Sequence, residues 1–345
     1  MKQYKSIEVC RGVAALLVAV FHLSRLYQQN YDEFPFSSIT EIGHVGVDFF
    51  FVLSGFIIYY VHSSELGSKI YLKNYLIKRF SRVFPFFWFV VGLNLLLIPF
   101  VASKDLPSTF ELLMNLTLLP YKEYFVIGVS WTLQHEILFY ALFALLFINR
   151  NIGRVVLTLW LMLIIINSSY DDFQIPVVFS TFNIQFFIGL GVAFALEKSY
   201  LHHSKLLIPV SFGLIFLLGG LELAGILPHS GLLTRVLYGL TFAMVIITCI
   251  NLEGRYFRAF PSLLLLLGKS SYSVYLLHLF FGGILFKLFS IAGINSLLPL
   301  SLSAFLLISL TVYLCHVTSI IVEIPLSKKV RRFLLKKYGS KLELE

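Results

Sequence analysis

A chain of 345 residues that is 58% hydrophobic and 13% charged, with mean hydropathy +0.86, is too apolar for a soluble domain, where about 25% of residues are charged. The net charge of +9 then points to basic cytoplasmic loops of a membrane protein and not to nucleic acid. No hydrophilic block is long enough for a soluble domain, so residues 1–345 are expected to form a single integral-membrane domain.

Apolar runs of about 20 residues recur along the whole length, as membrane helices require. The expected fold is an all-α integral membrane protein with about ten transmembrane helices, near 7–26, 43–61, 83–101, 126–148, 152–169, 177–197, 205–223, 231–250, 262–289 and 297–322. Arg11 interrupts the approach to the first run and no small-residue cleavage site follows it, so the N-terminus reads as a helix and not a cleavable signal. Most of the 27 Lys and Arg fall on one set of segments. These are the N-terminus (Lys2, Lys5, Arg11), the 62–82 stretch (Lys69, Lys73, Lys78, Arg79, Arg82), Arg150 with Arg154, Lys198, Lys205, Arg255, Arg258 and the basic tail from Lys328 to Lys341. The alternate loops carry Asp32, Glu33, Glu41, Asp105, Asp171 and Asp172. By the positive-inside rule both termini are expected to be cytoplasmic, in the inner (cytoplasmic) membrane. Cys10, Cys249 and Cys315 are far apart in sequence and read as packing residues, not as a disulfide or metal set.

The first run, RGVAALLVAVFH, has a cation at one end and an imidazole at the other. In a helix, Arg11 and His22 are separated by about 1100° of turn and about 16 Å of rise, so they share a stripe with Ala14, Ala15 and Val18 that can line a channel. Ionisable groups inside a membrane segment are costly and are functional candidates by default. The second run opens with His44, Gly46 and Asp48; Asp48 needs a partner, and Gly46, Ser54 and Gly55 give a thin face for close helix approach. In KIYLKNYLIKRFSRVFPFFW, Arg79 and Arg82 share a helix face before Pro85, which is expected to break or kink the entry to the third membrane helix. The pair suits a bidentate phosphate clamp, or an amphipathic helix lying on anionic headgroups.

SWTLQHEILFY places His135 and Glu136 in an apolar helix, where a carboxylate faces a cavity and pairs with a cation. Phe139 excludes an HExxH zinc motif, and no metal is expected. GKSSYSVYLLH puts Lys269 at a cytoplasmic helix start and Ser271, Tyr275 and His278 on one stripe, either lining a cavity or forming a polar seam. Glu323 and Pro325 in VEIPLSKK are expected to terminate the last membrane helix.

Taken together, RGVAALLVAVFH, GVDFFFVLSGF, KRFSRVFPFFW, SWTLQHEILFY, GKSSYSVYLLH and VEIP resemble, in order, the acyltransferase 3 family of multi-pass bacterial membrane proteins that modify hydroxyls of cell-surface glycans. The resemblance implies an acyl-CoA donor on the cytoplasmic side, acetyl-CoA by default, and a glycan acceptor on the far side. It implies that Arg11 and His22 are the signature pair and that Arg79 and Arg82 are required. Many relatives carry an extracytoplasmic SGNH hydrolase-like domain; this sequence resembles the stand-alone branch.

On that reading Arg79, Arg82, Arg11 and Lys269 hold the CoA phosphates, and the thioester lies near His22. His22 acts as general base on the acceptor hydroxyl, or carries the acyl group transiently, and Glu136 orients its imidazole. Asp48, Ser54, His135, Tyr275 and His278 line the substrate cavity. The expected partners are the lipid bilayer, acyl-CoA, the glycan and the glycan-biosynthesis machinery. A transporter of a glycan or lipid-linked sugar also needs about ten helices, but the chain shows no paired repeats. A membrane scaffold for a glycan synthase explains the helices but not the buried Arg, His, Glu and Asp.

Overall fold

The computed structural model describes residues 4–98, 105–121, 123–168, 177–198, 207–253 and 260–339. Lys2, Asp171, Asp172, Lys205, Arg255, Arg258 and Lys341, which entered the orientation reading, lie outside the described residues. The protein is an all-α membrane protein. Its helices are α1 (Lys5–Tyr31), α2 (Gly46–His62), α3 (Lys69–Leu97), α4 (Thr109–Thr117), α5 (Trp131–Ile148), α6 (Arg150–Asn167) and α7 (Ile184–Glu197). They continue as α8 (Leu207–Leu223), α9 (Leu232–Leu252), α10 (Ser262–Lys269), α11 (Ser271–Ile291), α12 (Ile294–Leu297), α13 (Leu300–Thr318) and α14 (Ile324–Tyr338). A 3₁₀ segment, Ser38–Val45, leads into α2. Among the described residues, eight helical stretches are long and apolar enough to cross a membrane, and two shorter apolar helices cover Thr181–Glu197 and Pro209–Leu223.

Three sequence expectations are corrected. Pro85 does not break the chain: α3 runs through it from Lys69 to Leu97, so the arginine segment and the third membrane helix are one element. A break in hydrocarbon would expose several backbone polar groups, whereas a helical proline leaves only one carbonyl to be satisfied locally. The expected helix over 262–289 is two, α10 and α11, divided at Ser270, whose hydroxyl lies 3.0 Å from Leu266 O and 2.6 Å from His316 Nδ1. Glu323 and Pro325 do not end the last helix: after α13 one π-helical turn, Ser319–Glu323, passes directly into α14. The π turn places Pro325 in the first turn of α14, where a missing N–H costs little.

Helix α4 was not anticipated. Its signal is a capping box: Ser108 Oγ accepts from Glu111 N at 3.3 Å, and Ser108 N donates to the Glu111 carboxylate at 2.7 Å. The Ser108 hydroxyl, which donates to Glu111 Oε2 at 2.7 Å, and after it the Ser108 N–H hold the exposed Glu111 carboxyl below the usual carboxylate range.

The chain forms two compact units. One comprises Met1–Ile57 and Ile184–Ser319; the other comprises Ile58–Asn183 and Ile320–Glu345. In the first, α1 packs against the 3₁₀ segment, α10, α11 and α13, while α9 packs against α7 and α8. Glu253, just past α9, caps the start of α1: its carboxylate accepts from Lys5 N at 2.9 Å and Ser6 N at 2.8 Å. At the other end of α1, Tyr27 is buried among Leu285, Phe286, Ala304, Leu307 and Ile308. Its hydroxyl lies 2.9 Å from Ser303 Oγ and 3.2 Å from Asn295 Oδ1. Both ends of the helix that carries Arg11 and His22 are thereby fixed. In the second unit α3 packs against α5 and α14, and α5 against α6.

Between its ends α1 meets α10 through glycine. A Cβ on Gly12 would stand 2.6 Å from Gly268 N and 2.9 Å from Leu267 C, both backbone atoms that cannot swing away. Gly12→Val is therefore expected to push α1 off α10, at about 1–3 kcal/mol by overpacking. A melting temperature in detergent equal to that of the wild type would refute this contact. Cys10 and Cys249, distant in sequence, are brought together as free thiols with sulfurs 3.4 Å apart.

Candidate active site

Helix α1 presents His22, half-buried, toward α11. His278 of α11 is fully buried, and its Nε2 lies 3.0 Å from His22 Nδ1. A carbonyl only accepts, so the 3.0 Å contact of His278 Nδ1 with Val274 O places the His278 proton on Nδ1. Its Nε2 is then the acceptor for His22. By the same reasoning the contact of His22 Nδ1 with Val18 O, at 3.1 Å, places a proton on Nδ1 of His22. The network thus assigns one tautomer throughout, with the lone pair of neutral His22 on Nε2. A basic nitrogen with its ring held from behind is the arrangement of a general base. Phe21 packs edge-on to His22 at 4.8 Å, and Tyr275 stands 6.3 Å from His278 and 5.9 Å from Phe50.

The channel-lining role expected of Ala14, Ala15 and Val18 does not hold. All three are closed over, and a Cβ on Gly46 would strike Ala14 and Val18, so this stripe is a seam against the start of α2. Arg11 is half-buried and Lys269 exposed. Arg11 lies in the second turn of α1, and Lys269 is the last residue of α10 and not a helix start; each neighbours a glycine of the Gly12–Gly268 contact.

Asp48 is fully buried and has the partner that its burial demands: Oδ1 accepts from Arg235 Nη1 at 2.6 Å and from Gln185 Nε2 at 2.5 Å. Arg235, itself buried at 4% exposure, also donates to the backbone oxygen of His229. Sequence reasoning missed Arg235 and Gln185. The signal available was a lone arginine within the apolar run 231–250. Ser54 is half-buried on α2, beside Gly55, which packs on the backbone of Phe186.

The remaining expected residues belong to the second unit. Arg79 and Arg82 lie one turn apart on α3; Arg79 is half-buried and Arg82 exposed. The Arg79 guanidinium sits 5.9 Å from the ring of Tyr75 and 5.5 Å from that of Tyr140, and Nη2 is 3.4 Å from His62 Nε2. The other nitrogen of His62 is 2.5 Å from Glu65 Oε2. Tyr140 donates its hydroxyl hydrogen to Glu136, and both arginines are near enough to act on Tyr140 electrostatically. The structure thus brings Arg79, Arg82 and Glu136 together through Tyr140. His62 and Tyr140 were not anticipated. His135 is buried and bonded at 2.8 Å to Asn183 Oδ1; Asn183 Nδ2 in turn donates to Val177 O at 2.7 Å. This ties α5 to the 177–183 segment and has the form of a satisfied core histidine.

Over 255 residues the chain is 29% identical to the exopolysaccharide production protein ExoZ of Rhizobium meliloti (strain 1021), covering 69% of this chain and 76% of that protein. No solved structure matches. Residues 4–320 match the model of the acyltransferase 3 family, described as an acyltransferase domain. The helix bearing Arg11 and His22, the one bearing Arg79 and Arg82, and the one bearing His278 all fall inside that match, and the chain belongs to the acyltransferase 3 family of membrane acyltransferases.

Proposed function

We propose that the protein is a membrane O-acyltransferase that takes an acyl group, acetyl by default, from cytoplasmic acyl-CoA and delivers it to a hydroxyl of an extracytoplasmic glycan. The observation that carries this reading is the His22–His278 couple, with the lone pair on His22 Nε2. The similarity to an exopolysaccharide production protein supports a glycan acceptor. The basic loops support an orientation with both termini in the cytoplasm of the bacterial inner membrane.

In the proposed reaction His22 Nε2 takes the proton of the acceptor hydroxyl as its oxygen attacks the thioester carbonyl. The tetrahedral intermediate collapses with loss of the CoA thiolate, which recovers the proton from the imidazolium. His278 Nε2 accepts from His22 Nδ1–H throughout and steadies the charged ring, a part that sequence reasoning gave to Glu136. Arg79 and Arg82 hold donor phosphates by charge-assisted hydrogen bonds. Glu136, bonded by Tyr140, balances charge at the Arg79–Arg82 pair.

Calorimetric titration of acetyl-CoA into the purified protein tests the donor. Charged hydrogen bonds contribute about 1.5–3 kcal/mol each, so Arg79→Ala with Arg82→Ala is expected to weaken binding at least tenfold. Equal affinity in the double variant would return the arginine pair to lipid headgroups. Absence of wild-type binding to acetyl-CoA, succinyl-CoA and free CoA would overturn the donor assignment and favour a transporter, to be tested by glycan flux across vesicles.

A further inference from the structure

Glu222, near the C-terminal end of α8, is buried at 4% exposure in an apolar helix. Two imidazoles converge on it from elements far apart in sequence. His44 of the 3₁₀ segment places Nε2 2.8 Å from Glu222 Oε2, and His229 of the α8–α9 connection places Nδ1 3.5 Å from the same oxygen. The ring centroids of His44 and His229 are 5.6 Å apart, and the three ligand atoms all lie within 4.8 Å of one another. The second carboxylate oxygen, Oε1, is buried and makes no hydrogen bond of normal geometry, with the equally buried Tyr238 hydroxyl the neighbouring donor to this carboxylate.

An orphaned carboxylate oxygen beside two imidazole nitrogens is costly as a purely protein arrangement. One divalent cation resolves it: it accepts a lone pair from each imidazole and from the carboxylate and neutralises the buried charge. We propose that His44, Glu222 and His229 form a binding site for a transition-metal ion, zinc fitting best, with three protein ligands and an open fourth position. Two imidazoles with one carboxylate are a recurrent zinc donor set, whereas magnesium and calcium prefer all-oxygen cages.

Outer contacts support the ligands as such sites require. Arg235, held by Asp48, donates to the backbone oxygen of His229 and fixes the connection that carries this ligand. The His44 ring packs edge-on against Phe21 at 5.9 Å and Tyr238 at 6.3 Å. His229 has a side chain 61% exposed, which leaves it room to close on an ion and gives the ion a way in. Sequence reading expected no metal. His44 and Glu222 are 178 positions apart, so no spacing motif announces the site.

The test is zinc titration and elemental analysis of protein purified through a tag without histidine, for the wild type, His229→Ala and Glu222→Gln. One zinc per chain in the wild type, with at least tenfold weaker binding in each variant, is the expected result. His229→Ala alters an exposed side chain, so its melting temperature should match the wild type, and it decides the matter even if Glu222→Gln fails to fold. Wild-type zinc binding no stronger than that of His229→Ala overturns the proposal. Cobalt substitution separates the competing donors: thiolate charge-transfer absorption would place the ion on Cys10 and Cys249, ligand-field bands that persist in His229→Ala would place it on another pair such as His22 and His278, and either result would overturn the proposal, whereas ligand-field bands lost in His229→Ala support it.

Discussion

Acyl transfer by His22→Ala is expected to fall by about 10²–10⁴-fold, the range for loss of a positioned general base, while acyl-CoA binding stays near the wild-type value. The readout is label transfer from acyl-CoA to glycan, paired with calorimetry on the same preparation. Retained binding with lost turnover separates the chemical step from misfolding. His278→Asn probes the support for that base. His278 is fully buried and reaches the reaction only through His22, so it is a positioning residue. Its variant should lower kcat with little change in the donor KM and should shift the pH profile, because the imidazolium at His22 loses the acceptor behind it. A purely structural role would lower the melting temperature and leave the pH profile of the surviving enzyme in place. Normal acylation by His22→Ala would sink the assignment outright. Label retained on wild-type protein but not on His22→Ala would instead convert the base into a covalent acyl carrier.

What the sequence made legible follows from spacing within one helix. Arg11 and His22 fall on one stripe because eleven residues are close to three turns, and Tyr275 and His278 were placed on another by the same arithmetic. Which stripe meets which was not legible. The bond between His22 and His278 joins positions 256 apart, and nothing local to either announces the other. Glu136 was given the part that His278 takes in the proposal because a carboxylate is the commoner partner for a catalytic histidine. Burial alone demanded a partner for Asp48, and that inference held, although Arg235 could not be named from 187 positions away. At neither proline does the helix stop. Pro85 lies within α3 and Pro325 within α14, because a chain in hydrocarbon has little to gain from leaving the helix. The arginine segment and the third membrane helix are consequently one rod, which sequence reading had divided at its most polar point.

The largest stability effect is expected at Asp48. Removing its carboxylate by Asp48→Ala leaves the Arg235 guanidinium buried at 4% exposure without its counter-charge, and breaking one side of a buried pair costs about 3–5 kcal/mol. Gln185 Nε2 loses the same acceptor, so the damage extends to α7. The measurement is thermal unfolding in detergent for Asp48→Ala and for Asp48→Leu with Arg235→Met. The double variant removes both charges, and replacing a buried ion pair by apolar side chains is commonly neutral or stabilising. It should therefore recover most of the loss. A double variant as unstable as the single one would mean that Gln185, and not the charge pair, holds α2, α7 and α9 together. Recovery of stability need not restore every property. Arg235 also anchors the backbone oxygen of His229, so the stable double variant should still bind zinc more weakly than the wild type. A buried pair that apolar residues can replace for stability, but not for the geometry of a neighbouring loop, is retained for what it positions.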